Sequence, residues 1–299
     1  MKPSYKPVSK GLYVRLMSPL GRYPIKGFRS SSAALIVSSE VSFTIVQILK
    51  GDLSFSEVDI LKKLEIPLFG SILLTGEPGA PYLYPYPANS FTLNTESVVN
   101  IGDEQIAQCK SILLLELQRE NRDLSTGSLH LPPCLGGAKY DLVPDNTSDS
   151  DRLNVLRRLE NAIPVVLRAI NCMIKARMAF RFPEFGESAC IFLWIALDAA
   201  HSLVLERLRK SGTANPTTKD AVKYFEQMSE EQTNWDRFFE DDYENRIRAI
   251  HPANRFGAEA IPQYLADDFL ELYDSLIPLF EHIVLEFPND FPREMDARD

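Results

Sequence analysis

The stretch Tyr243-Glu-Asn245-Arg246-Ile247-Arg248-Ala-Ile-His251-Pro252-Ala-Asn254-Arg255-Phe-Gly257 concentrates the groups of this chain that could move protons and hold an anion. A residue before proline is pushed out of the α region, so a helix spanning about Asn234 to Ile250 ends there and leaves His251 at its C-terminus. The helix dipole favours a cation at that end. An imidazole with a reference pKa of about 6.5 both takes and gives a proton near neutrality, which is what acid–base catalysis requires. Arg246 lies about one and a half turns earlier. At 100° per residue the two side chains point roughly 140° apart on an undistorted helix. The non-helical exit at His251, the reach of the guanidinium, or pairing of two motifs across a dimer would each close that gap. Without a ligand, Arg246 pairing with Asp242 one turn earlier and His251 ending a helix account for the same residues.

The spacing Arg246-x4-His251 resembles the Arg-x4-6-His signature of HEPN domains, all-helical modules found in many RNA-cleaving toxins and defence proteins. The run Phe185 to Asp198 is similar to the "EEA...L..ALE" helix of HEPN-like bacterial proteins, and Ala266 to Tyr273 to their closing helix, so the resemblance covers residues 151 to 287. It implies RNA as ligand and a homodimer with the site in a cleft between protomers. It also implies cleavage without metal or cofactor, the RNA 2′-hydroxyl attacking the adjacent phosphate. Arg246 and His251 would be the catalytic pair, with Tyr243, Asn245 and Arg248 binding substrate. Stress response or defence of the toxin–antitoxin kind is the implied setting, with an antitoxin or regulatory partner. Ile247 departs from the pattern, because active members carry a polar residue directly after the motif arginine. A second reading therefore stays open: a non-catalytic dimeric interaction or scaffold protein with a degenerate HEPN-like site. Family members often place an acidic residue where Asp198 stands, but a solvated position or a surface pair with His201 explains it without chemistry.

A chain of 299 residues is long enough for two cores, and 45% hydrophobic with 24% charged residues is the composition of a folded globular protein. The net charge of −9 argues against coating nucleic acid through an overall field. The first fifty residues hold eight basic residues and one acidic, a local +7, so the remainder carries −16 and any polyanion contact must use local basic patches. Cys109, Cys134, Cys172 and Cys190 stand far apart with no histidine at ligand spacing, and read as small apolar residues rather than a metal site. His130 and His282 have no partner identifiable from their neighbours in sequence. Uninterrupted apolar runs such as Ile112 to Leu115 and Cys190 to Ala196 fall far short of the roughly 20 residues that span a bilayer. Pro3 and Pro7 interrupt the N-terminus, which lacks the apolar stretch of a signal peptide, so no membrane contact and a cytoplasmic location are expected.

The elements divide into an α+β arrangement: a β-rich domain of unknown role over residues 1–144, a helical bundle over 151–287 and a tail over 288–299, with a polar boundary at Asp145 to Ser150. Leu12, Val14 and Leu16 alternating with Tyr13 and Arg15 predict a strand, as do Ala34 to Val37, Val41 to Ile48, Ser71 to Thr75 and Phe91 to Leu93. Asp103 to Glu120 fits strand or helix, and strand is preferred. Tyr82, Tyr84 and Tyr86 between prolines suit a stacking platform for bases, but more simply an edge strand blunted by proline. Helical periodicity begins after Asp149, Ser150 or Asp151 as N-cap, with Pro164 as a bend. Further helices are expected at about Glu184 to Arg209 closed by Gly212, from Thr217 or Thr218, at Asn234 to Ile250 and at Tyr264 to Phe287. Five helices in this length make a bundle.

Overall fold

Period-2 patterning in the first fifty residues produces strands whose two faces do different work. The computed structural model describes residues 10–49, 61, 64–76, 82–94, 100–125, 139–228, 235–239 and 266–287, and they form an antiparallel sheet followed by a mainly helical region, an α+β fold. The chain divides into two compact units, Met1–Phe69 with Ala80–Leu153, and Gly70–Gly79 with Asn154–Asp299.

In the first unit the strands are β1 (Lys10–Met17), β2 (Arg22–Pro24), β3 (Phe28–Arg29), β4 (Ala33–Ile36), β5 (Phe43–Leu49) and β6 (Pro85–Asn94). The five-stranded sheet runs β3-β4-β5-β1-β6, with Val14 opposite both Ile45 and Phe91. A short β7 (Asp141–Val143) pairs in parallel with β2. The tyrosine–proline stretch feeds into β6, the edge strand, in agreement with the proline-blunted reading.

Leu12, Val14, Leu16, Ala34, Phe43 and Ile45 form one apolar face, and α2 (Asp103–Ser125) covers it with Cys109 and Leu113, flanked by Ile106 and Leu117. The strand expectation for residues 103–120 is thus corrected to helix. The apolar side chains that meet the sheet recur at three- and four-residue steps, while Glu104, Gln108, Ser111 and Glu116 stay exposed. The Gln105 side chain accepts the Gly102 N–H at 3.0 Å at the helix start.

On the sheet's opposite face β1 presents Arg15, only 2% exposed. Its Nε donates to Glu65 Oε1 at 2.6 Å, and its Nη2 to Glu65 Oε2 at 2.9 Å and to the Tyr13 hydroxyl at 2.6 Å. Burial, reinforced by the Glu65 charge, raises the Tyr13 pKa, so the phenol stays neutral there. Glu65 opens α1 (Glu65–Thr75), which corrects the strand expected at Ser71 to Thr75. Pro67 sits in the first turn, where a missing N–H costs no intrahelical bond. Gly70 belongs to the second unit, where a Cβ would meet Ile170 Cγ2 at 2.7 Å and Leu159 Cδ1 at 2.9 Å.

The second half is helical: α3 (Asp149–Glu160), α4 (Pro164–Phe180), α5 (Gly186–Lys210), α6 (Thr218–Met228) and α7 (Ala266–Glu286). Ser148, not one of the expected residues, caps α3, its Oγ accepting the Asp151 N–H at 3.2 Å. Pro164 separates two helices rather than bending one: Ile163 is extended and Pro164 occupies the first turn of α4. A 3-10 turn at Pro183–Phe185 leads into α5, and Gly212, with φ +99°, follows its end. By length and composition the helical stretch Pro183–Lys210 could cross a membrane, but half of its apolar window is buried and α5 packs against α4, α6 and α7, as a core helix does. Phe180 of α4 stacks on Phe269 of α7 at 4.0 Å.

Glu65→Gln should lower the unfolding free energy by about 3–5 kcal/mol, because it leaves the Arg15 charge buried and uncompensated. Arg15→Met with Glu65→Leu should recover most of that loss in urea denaturation; a double variant no better than the single would contradict the assignment. Gly70→Ala should cost about 1–3 kcal/mol by overpacking against Leu159 and Ile170. Unchanged denaturation midpoints would show that those side chains yield freely.

Candidate functional site

Tyr243, Asn245, Arg246, Arg248 and His251 lie outside the described residues, as do His130 and Cys134. The chain that leads into and out of the motif is described, and it is firmly held. Residues 235–239 form a helical turn in which Trp235 and Phe238 are buried. Phe225 of α6 lies 5.0 Å from the Trp235 ring and 5.7 Å from the Phe239 ring, and Phe239 lies 5.0 Å from the His201 ring of α5. Arg237 Nη2 reaches Asp268 Oδ1 at 3.2 Å and Glu271 Oε2 at 2.9 Å, both on α7. The stretches on either side of residues 240–265 are therefore tied directly to each other.

Asp198 is exposed on α5 and His201, one turn on, is half-buried against Phe239. Among the described residues no group of histidine, cysteine, aspartate or glutamate has the arrangement of a metal site. Cys109, Cys172 and Cys190 are buried, and burial pushes the Cys109 thiol up to about 11, far from a reactive thiolate.

One polar cluster escapes sequence reasoning. His282 Nε2 and the Tyr224 hydroxyl are 3.0 Å apart, joining α7 to α6 across 58 positions of sequence. The Phe287 ring lies 6.2 Å from Tyr224 and 6.0 Å from His282, and the Arg207 guanidinium of α5 sits 5.7 Å from the centre of that ring. Burial raises the Tyr224 pKa while the Arg207 charge opposes it. Burial lowers the His282 pKa below its ordinary value, the Glu286 carboxylate working against this and Arg207 with it. His282 thus stands as a neutral hydrogen-bonding partner near neutrality rather than an unpartnered imidazole. No motif spacing could have found it, because its members come from three helices.

Comparison with known proteins gives no match to a family model, a curated protein or a solved structure.

The lowered pKa of His282 has a definite linkage sign. The unfolded chain binds the proton first, so the contribution of His282 to stability is fully present above about pH 6.5 and is lost as pH falls through the lower folded value. His282→Gln should flatten the decline in melting temperature between about pH 7 and 5 relative to wild type. Parallel profiles for the two chains would show that other groups carry the acid sensitivity.

Proposed function

We propose that the chain is a cytoplasmic, homodimeric RNA-binding protein whose helical half is HEPN-like and cleaves RNA without a metal or cofactor, in stress response or defence. The observation that carries this reading is Arg246-x4-His251, flanked by segments similar to the helices of that family. The helical character of residues 186–210 and 266–286 supports it, since those are the segments on which the resemblance rests.

In the proposed reaction the RNA 2′-hydroxyl loses its proton and its oxygen attacks the adjacent phosphorus. The bond from phosphorus to the 5′ oxygen breaks, and that oxygen takes up a proton. The products are a 2′,3′-cyclic phosphate and a 5′-hydroxyl. His251 moves the protons; Arg246 holds the phosphate and its developing negative charge, with Tyr243, Asn245 and Arg248 as further substrate contacts. A dimer brings two copies of the pair to one cleft. An antitoxin or other regulatory partner belongs to the same reading, since an unrestrained ribonuclease would damage its own cell.

Ile247 and the charge of −16 over residues 51–299 favour the second reading, a dimeric scaffold with a degenerate site. RNA cleavage separates the two. Labelled RNA incubated with the full chain in EDTA should yield cyclic-phosphate ends. His251→Ala should lose roughly 10² to 10⁴ in rate. Arg246→Lys should also be impaired because lysine lacks the planar fork. Cys109→Ser, buried and with no assigned chemistry, serves as the control. The sedimentation mass should be twice that of the 33.8 kDa chain. Equal cleavage by wild type and His251→Ala would assign the activity elsewhere and leave the scaffold reading.

A further inference from the structure

The end of α5 and the start of α6 form a basic corner on a chain whose residues after position 50 sum to −16. Arg207, Arg209 and Lys210 occupy the last turn of α5, Lys219 the first turn of α6, and Lys223 the next. Arg209, Lys210, Lys219 and Lys223 are exposed, as is the turn between the helices except at Pro216. The two acidic residues of the stretch, Glu206 and Asp220, are engaged locally. Glu206 pairs with Arg209 at 3.3 Å; Asp220 caps α6, accepting the Thr217 N–H and hydroxyl, each at 2.8 Å.

Helix stability explains half of this pattern. Cations at the C-terminus of α5 complement its dipole, but Lys219 stands at the N-terminal, positive end of α6, where a cation is disfavoured. Its placement costs stability and extends the charge of α5 around the turn. Arg207 is pre-positioned by its packing on Phe287 beside Tyr224. The exposed Glu286 of α7 acts on His282 against Arg207, and the Lys223 charge acts on Asp220, so the corner keeps five cations, Arg207, Arg209, Lys210, Lys219 and Lys223, against the three carboxylates Glu206, Asp220 and Glu286.

We infer that this corner is a contact surface for the phosphate backbone of RNA. The inference rests on the RNA reading of the helical half and deepens it by naming where the strand is held outside the motif. Such contacts release counterions, so their number is read from the salt dependence of binding.

The test is fluorescence anisotropy of the full chain with a labelled 20-nucleotide 2′-O-methyl oligouridine, which lacks the hydroxyl needed for cleavage, at low and moderate salt. Lys210→Gln, Lys219→Gln and Lys223→Gln combined should weaken binding about tenfold or more and reduce the salt slope by roughly 2, at about 0.7 per phosphate contact on a single strand. A control with Lys139→Gln, Arg157→Gln and Arg168→Gln, exposed positions outside the corner, removes the same three charges and should change binding little. If wild type binds and the triple variant binds equally well, the corner is not the surface while the RNA reading stands. If both variants weaken binding alike, the effect is one of overall charge and the inference fails. A wild-type chain that does not bind the probe overturns both.

Discussion

Removal of the Arg15 and Glu65 charges from water at the centre of the sheet is the constraint on which the first unit depends. Both side chains are almost wholly excluded from solvent, so the arrangement is tolerable only while the two-pronged ion pair and the Tyr13 contact are complete. That requirement fixes register as well as proximity. A slip of β1 by one residue would turn Arg15 to the face where Leu12, Val14 and Leu16 meet α2, with no acid to receive it. It also requires the first turn of α1 to be formed whenever the sheet is, since Glu65 opens that helix.

The same device recurs where the chain passes a second time from the first unit to the second. The start of α3 belongs to the first unit and carries Arg152, which pairs with Asp145 at 2.7 Å with both side chains nearly excluded from water and lies 5.8 Å from the Phe28 ring. From Asn154 onward α3 belongs to the second unit, as α1 does from Gly70. A buried arginine–carboxylate pair thus fixes the start of each of these helices within the first unit; the apolar contacts of their later residues belong to the second. In α1 those contacts are close enough that Gly70 has no room for a methyl group.

Local pattern was enough for β1, β4 and β5, for the end of β6 and for α5, α6 and α7, because one buried face leaves a period of two or of three and four in the residues themselves; it gave no sign of β3 and joined α3 and α4 into one bent helix. It failed where local cues conflict with tertiary placement. In α2 the run Ile112 to Leu117 is apolar on too much of its surface to show a period, and the deciding residues, Ile106, Cys109 and Leu113, spread wider than that run. In α1, Pro67 and Gly70 look like breakers, yet one sits in the first turn and the other at a close packing contact. The candidate motif from Tyr243 to Gly257 is read from spacing and residue type and lies outside the described residues. The Tyr224–His282 contact is not, since nothing within either helix signals a partner 58 positions away.

The described stretches that flank residues 240–265 are fixed by residues distant from them in sequence. A few strong contacts hold the described chain on each side of residues 240–265. At the leading end these are Trp235, Phe238 and Phe239 with Phe225 and His201; Arg237 then joins that end to Asp268 and Glu271 of α7. At the far end of α7, His282 and Phe287 meet Tyr224. Helix α7 is therefore held near both of its ends, by the Arg237 ion pairs at one and by the Tyr224–His282 contact at the other.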